Sequence, residues 1–187
     1  MPQWLRPSPP PHALALAMIG AKPGDRVIVF GANLPEMAAD LALATGLNGR
    51  LVVRDGDPSA QARTEAAAAR AGALVEFDAA VEAVEGEWDA AVVARSMGSM
   101  SADERTTHVG EAMRILRDGG RVIVIDGTRA GRWPTSIFAR REPQLAPADV
   151  LATLDGTGAR ASRLLADVGG VRFYEARKAI DPAASRT

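Results

Sequence analysis

The sequence predicts an α/β fold, a doubly wound sheet closed by an antiparallel hairpin, and three observations carry that prediction. Apolar strand-like runs alternate with helical stretches from residue 26 to residue 126. The runs Val27–Phe30, Leu51–Val53, Ala90–Val93 and Val122–Ile125 are continuously apolar, the pattern of parallel strands covered on both faces. The last third then offers two strand-like segments, Ala159–Ala166 and Val171–Arg177, joined through Asp167-Val168-Gly169-Gly170. That is a hairpin signal.

Taken in order, residues 1–11 form a leader with five prolines between Pro2 and Pro11, which favours an extended, mobile segment. His12–Ile19 reads as a short helix closed by Gly20 and the turn Lys22-Pro23-Gly24-Asp25. The first strand spans Arg26–Gly31. The next helix runs from Leu34 to Thr45, with Asn33 as N-cap and Glu36 completing a capping box. The second strand is Arg50–Arg54. Asp57-Pro58 then opens a helix that ends near Gly72, an N-cap acid followed by proline in the first turn. Leu74–Phe77 and Asp89–Ala94 are the third and fourth strands. Ser101 to Glu104 is a second capping box, opening a helix with Val109, Ala112, Met113 and Leu116 on one face. The fifth strand is Arg121–Asp126, after the Gly119-Gly120 stop, and Pro147–Leu154 is a short helix. Residues 12–178 therefore read as one domain, followed by a flexible tail, 179–187.

Composition narrows the function classes. A chain of 187 residues, 47% hydrophobic and 24% charged, is that of a soluble globular domain. Its 22 basic and 23 acidic residues nearly cancel, so no net field draws it to nucleic acid or an anionic membrane. It contains no cysteine, which removes thiolate nucleophiles and zinc–sulfur sites. The apolar stretch Ala13–Ile19 is too short to span a bilayer and lacks a basic lead-in. The expected location is cytoplasmic.

The order of motifs resembles that of the class I S-adenosylmethionine-dependent methyltransferases. Lys22 to Val27 looks like the family's lead-in to its first strand. Asp55 is similar to the acid that binds the ribose, and Phe77-Asp78-Ala79 resembles the aspartate-alanine step beside the adenine. Trp88 to Val93 stands where the family has an aromatic-Asp fourth strand, and Arg114 to Val122 looks like its helix-to-fifth-strand signature. The resemblance implies a Rossmann-like, seven-stranded, mostly parallel sheet with an antiparallel C-terminal hairpin. It implies S-adenosylmethionine as cofactor, held by Gly31, Ala32, Asn33, Asp55, Gly56, Asp78, Ala79 and Ala94. A small-molecule methyl acceptor would then meet Arg95, Ser96 and Trp133 at the rim. Methyl transfer itself asks mainly for alignment of acceptor, methyl and sulfur, so neither His12 nor His108 is needed as a base.

One segment departs from the family pattern acid-x-Gly-x-Gly-x-Gly. Val29 takes the acid's place, Gly31 remains, and Asn33 and Pro35 replace the later glycines. Pro35 lacks an N–H, and Glu36 adds negative charge near the cofactor's carboxylate. Two readings of the cofactor site stay open, weakened or lost. Three functions follow: a methyltransferase, a non-catalytic relative working as a binding or regulatory protein, for instance as a homodimer, and a nicotinamide-dinucleotide-binding domain. The last ranks lowest, because Asn33 and Glu36 fill two glycine places of Gly-x-Gly-x-x-Gly.

Overall fold

A computed structural model describes residues 12–31, 34–77, 86–94, 97–127 and 144–180. In chain order the elements are α1 (Ala13–Ile19), β1 (Arg26–Phe30), α2 (Pro35–Thr45), β2 (Arg50–Arg54), α3 (Pro58–Ala71), β3 (Glu76–Phe77) and β4 (Trp88–Val93). A 3₁₀ turn (Met97–Ser99), α4 (Ala102–Ile115), β5 (Leu116–Asp126), α5 (Pro147–Gly156), β6 (Arg160–Val168) and β7 (Val171–Arg177) follow. The seven strands form one sheet in the order β3-β2-β1-β4-β5-β7-β6. β1 to β5 are mutually parallel, and β7 runs antiparallel to both β5 and β6.

Helices cover both faces because successive strand residues point to opposite sides. Ile28, Phe30, Val52, Ala91, Val93, Val122, Val124 and Tyr174 pack with α4 and α5. Val27, Val29, Leu51, Val53, Ala90, Val92, Ile123 and Phe173 pack with α1 and α2. Both ends of α1 are tied down. His12 Nε2 meets Asp40 Oδ2 on α2 at 2.5 Å, and Arg121 donates to the Gly20 carbonyl at 2.6 Å. Lys178 donates to the Arg114 and Leu116 carbonyls, tying the chain just after β7 to the C-terminal end of α4.

The local signals place the helices well. Asp57 caps α3 by accepting from the Ser59 amide at 2.9 Å, and Gly72 closes it at φ 67°. Both halves of the Ser101/Glu104 capping box form. Some boundaries differ from expectation. β5 begins at Leu116 rather than Arg121, because the chain enters the sheet directly from α4 and pairs Leu116 with Trp88 across a bulge. β3 shrinks to two residues, leaving Leu74 79% exposed. β4 spans Trp88–Val93, so Ala94 lies just past its end, and β6 runs on to Val168.

The edge strand β6 carries two register shifts and a positive φ at Ala161 (55°). Such irregularities blunt edge-to-edge pairing. Among the described residues, no helix is long and apolar enough to cross a membrane.

Candidate functional site

Strand order reverses between β1 and β4, so the crevice at the carboxyl ends of these strands is where a ligand docks in this architecture. Two backbone bonds square off that edge. The Gly31 amide donates to the Arg54 carbonyl at 2.9 Å, and the Ala94 amide donates to the Phe30 carbonyl at 3.0 Å. They bring Gly31, Asp55 with Gly56, and Ala94 to one rim. Gly31 leaves β1 at φ 99°, a conformation open to glycine and strained for other residues.

Asp55 sits at the tip of β2 with 9% exposure. Its Oδ1 accepts the Asp57 amide at 2.9 Å, and Gln61 Nε2 holds its carbonyl at 2.7 Å. The carboxylate therefore also organises the turn into α3. A Cβ built on Gly56 meets nothing within 4 Å, so the space beside this turn is open. Asp57, one turn further, is a helix cap whose carboxyl is held below its ordinary range by the Ser59 amide and hydroxyl.

The neighbouring cation is already committed. Arg54 pairs with Glu111 on α4, and its guanidinium lies 5.5 Å from the Phe30 ring centroid.

The loop after β1 corrects one expectation. Helix α2 starts at Pro35, with Leu34 rather than Asn33 in the N-cap position and no side-chain cap bond. Pro35 explains this. Its ring suits the first helical position and pushes the preceding residue out of the helical region, as the Leu34 angles show (φ −131°, ψ 69°). Glu36 lies in the first turn and is not the third member of a capping box. Its side chain reaches Arg70 at 3.6 Å with both partners mostly exposed. Val29 is 1% exposed and belongs to the core under α1 and α2.

Ala32, Asn33, Asp78, Ala79, Arg95, Ser96 and Trp133 lie outside the described residues.

A second feature of this rim involves a residue that the sequence reading did not single out. Asp126, fully buried at the end of β5, accepts the Met97 amide at 2.7 Å. Arg105 on α4 donates to the Met97 and Met100 carbonyls at 3.3 and 2.6 Å. The 3₁₀ turn after β4 is thus pinned on both sides. Beside it lies Tyr174, 0% exposed, whose hydroxyl faces the Arg172 guanidinium. Burial raises its pKa, with Arg172 opposing the rise and Asp126 adding to it. An acid ending a parallel strand is the one signal that would have flagged Asp126.

No family model matches the sequence, and no curated protein matches it at the sequence level. Solved structures do match in fold. A SAM-dependent methyltransferase from Aquifex aeolicus superposes with a TM-score of 0.69 at 17% identity, covering 88% of this chain and 87% of that one. A SAM-dependent O-methyltransferase from Thermotoga maritima gives 0.68 at 16% identity, covering 94% of this chain and 67% of that one. The [4+2]-cyclase SpnF gives 0.64 at 18% identity, over 90% and 79%. The fold is that of the class I S-adenosylmethionine-dependent methyltransferases.

S-Adenosylmethionine fits this edge in one half. Asp55 and the open space beside Gly56 suit a sugar diol. The entrance to α2, with Pro35, Glu36 and the apolar Val29, does not suit a zwitterionic tail.

Proposed function

We propose that this protein grips a nucleoside at the carboxyl edge of β1 and β2 and acts as an S-adenosylmethionine-dependent methyltransferase on a small molecule. The observation that carries this reading is the buried Asp55 at the tip of β2, beside Gly31 at the point where strand order reverses. An acid there accepts hydrogen bonds from ribose hydroxyls. The acceptor would meet Arg95, Ser96 and Trp133, and the protein would work in the cytoplasm.

A second reading has its own support. Val29, Pro35 and Glu36 weaken the tail end of the site, which favours a non-catalytic protein that binds a nucleoside and regulates a partner. One structural neighbour is described as a cyclase, so the fold hosts more than methyl transfer. A nicotinamide dinucleotide ranks behind both, since its pyrophosphate would face Glu36.

Thermal unfolding with saturating S-adenosylhomocysteine, and separately with NAD and NADP, tests these readings. Ligand at 100 times its dissociation constant stabilises by about 2.7 kcal/mol, a rise of roughly 7 °C for a chain of this size. Asp55→Ala should remove most of the S-adenosylhomocysteine shift. An unchanged shift in that variant refutes the ribose role.

A further inference from the structure

We propose that this site selects 5′-thioadenosine nucleosides lacking a carboxylate over amino-acid-bearing ones, and that Glu36 sets the preference. The inference rests on the nucleoside grip at Asp55, which the catalytic and regulatory readings share, and its outcome bears on the choice between them. In this architecture the sugar lies against the acid that tips β2, and the anionic part of the ligand lies toward the N-terminus of the helix after β1. Here that helix is α2.

Two features set its entrance against an anion. Pro35 occupies the first helical position and supplies no N–H. Glu36 puts a carboxylate into the first turn, where the helix dipole would otherwise attract one from the ligand. Between Gly31 and Met37 it is the one ionisable residue, so nothing in that stretch offsets it. Arg70 approaches Glu36 at 3.6 Å, but the side chains are 67% and 64% exposed, and a solvated pair of this kind leaves most of the field in place.

The ammonium of an amino-acid tail fares no better at β1, where Val29 is an apolar core residue. The sugar end is unaffected, because Asp55 is fixed by Asp57 and Gln61 from outside this loop. A nucleoside with a small neutral 5′ substituent keeps every favourable contact and meets no like charge.

The test is titration calorimetry of the wild-type chain and Glu36→Gln with 5′-deoxy-5′-methylthioadenosine and with S-adenosylhomocysteine. The neutral nucleoside should bind wild type at least about fivefold more tightly. Glu36→Gln should tighten S-adenosylhomocysteine by about two- to fivefold while moving the neutral nucleoside less than twofold, since a charge in the first turn is worth that much. Raising the salt concentration should narrow the wild-type gap. Equal or tighter binding of S-adenosylhomocysteine to wild type overturns the selectivity and leaves the methyltransferase reading standing. A gap that Glu36→Gln does not narrow overturns the assignment to Glu36. Binding of neither nucleoside overturns both the inference and the proposed function.

Discussion

Replacing Asp126 tests whether the rim of the cleft is held by one buried carboxylate. Its Oδ1 lies 2.7 Å from the amide of Met97, and both residues have 0% exposure. Asp126→Ala strands a buried N–H, and losing a bond to a charged acceptor in such a place costs about 2–3 kcal/mol. Unfolding entropy near 2.1 cal/mol/K per residue over 187 residues gives about 0.4 kcal/mol/K. The midpoint should therefore fall by about 5–8 °C in scanning calorimetry. Asp126→Asn keeps a carbonyl oxygen at the same place and should lose less than about 1 kcal/mol, or 3 °C. Hydrogen exchange localises the effect: the Met97 and Met100 amides should lose protection in the alanine variant, while β1 and β2 keep theirs. Equal destabilisation by Ala and Asn would refute the argument, because the acceptor atom would then not be what matters.

Three further outcomes follow from the same structure. Gly127→Ala should destabilise by more than about 3 kcal/mol, because the residue has φ 103° and a Cβ would sit 2.2 Å from Gln144 Nε2 and 2.4 Å from the Gly170 carbonyl; urea unfolding measures it. Tyr174→Phe should destabilise by about 0.5–1.5 kcal/mol in the same assay, since the buried hydroxyl it removes interacts with Arg172. For Asp89, burial alone would raise the carboxyl pKa. The Arg26 amide and the Arg117 guanidinium outweigh it and hold the group below its ordinary 3.8. Its stabilising effect is thus full at neutral pH, present above about 3.8, and lost as pH falls through the depressed folded-state value. The midpoint difference between wild type and Asp89→Asn should shrink between pH 6 and pH 3.

Legibility followed the range of the interaction. Asp57-Pro58 and the Ser101–Glu104 box were readable because cap and capped amide lie within three residues. The continuous apolar strands were readable because both faces are buried. Asn33 misled because a good capping residue stood two places before Pro35, and the proline's own geometry set the boundary. The early start of β5 was hidden by Gly119-Gly120, which look like a stop. Gly120 is required for another reason, since a Cβ there would lie 2.8 Å from the Arg117 carbonyl. Arg54–Glu111 and Asp126–Met97 were invisible, joining residues 57 and 29 apart that share no local pattern. Of the candidate site, Gly31, Asp55 and Ala94 were legible as strand ends, and the side-chain clamps around them were not.

The interactions that fix the rim do not pass through the residues that depart from the family pattern. Backbone bonds from Gly31 to Arg54 and from Ala94 to Phe30 set the strand ends whatever side chain occupies position 29, 33 or 36. Val29 goes further. It packs at 1% exposure among Val27, Val53 and Leu41, where an unpaired carboxylate would pay a heavy desolvation penalty. An acid at that position is sustained only by a ligand or partner that pairs with it, and valine stabilises the fold without one. Pro35 acts in the same direction, starting α2 cleanly while withdrawing an amide from the cleft. Val29 and Pro35 both favour the folded chain. The sheet matches that of a methyltransferase with which this chain shares 17% identity, and the bonds that hold its strand ends are independent of the side chains in the loop after β1.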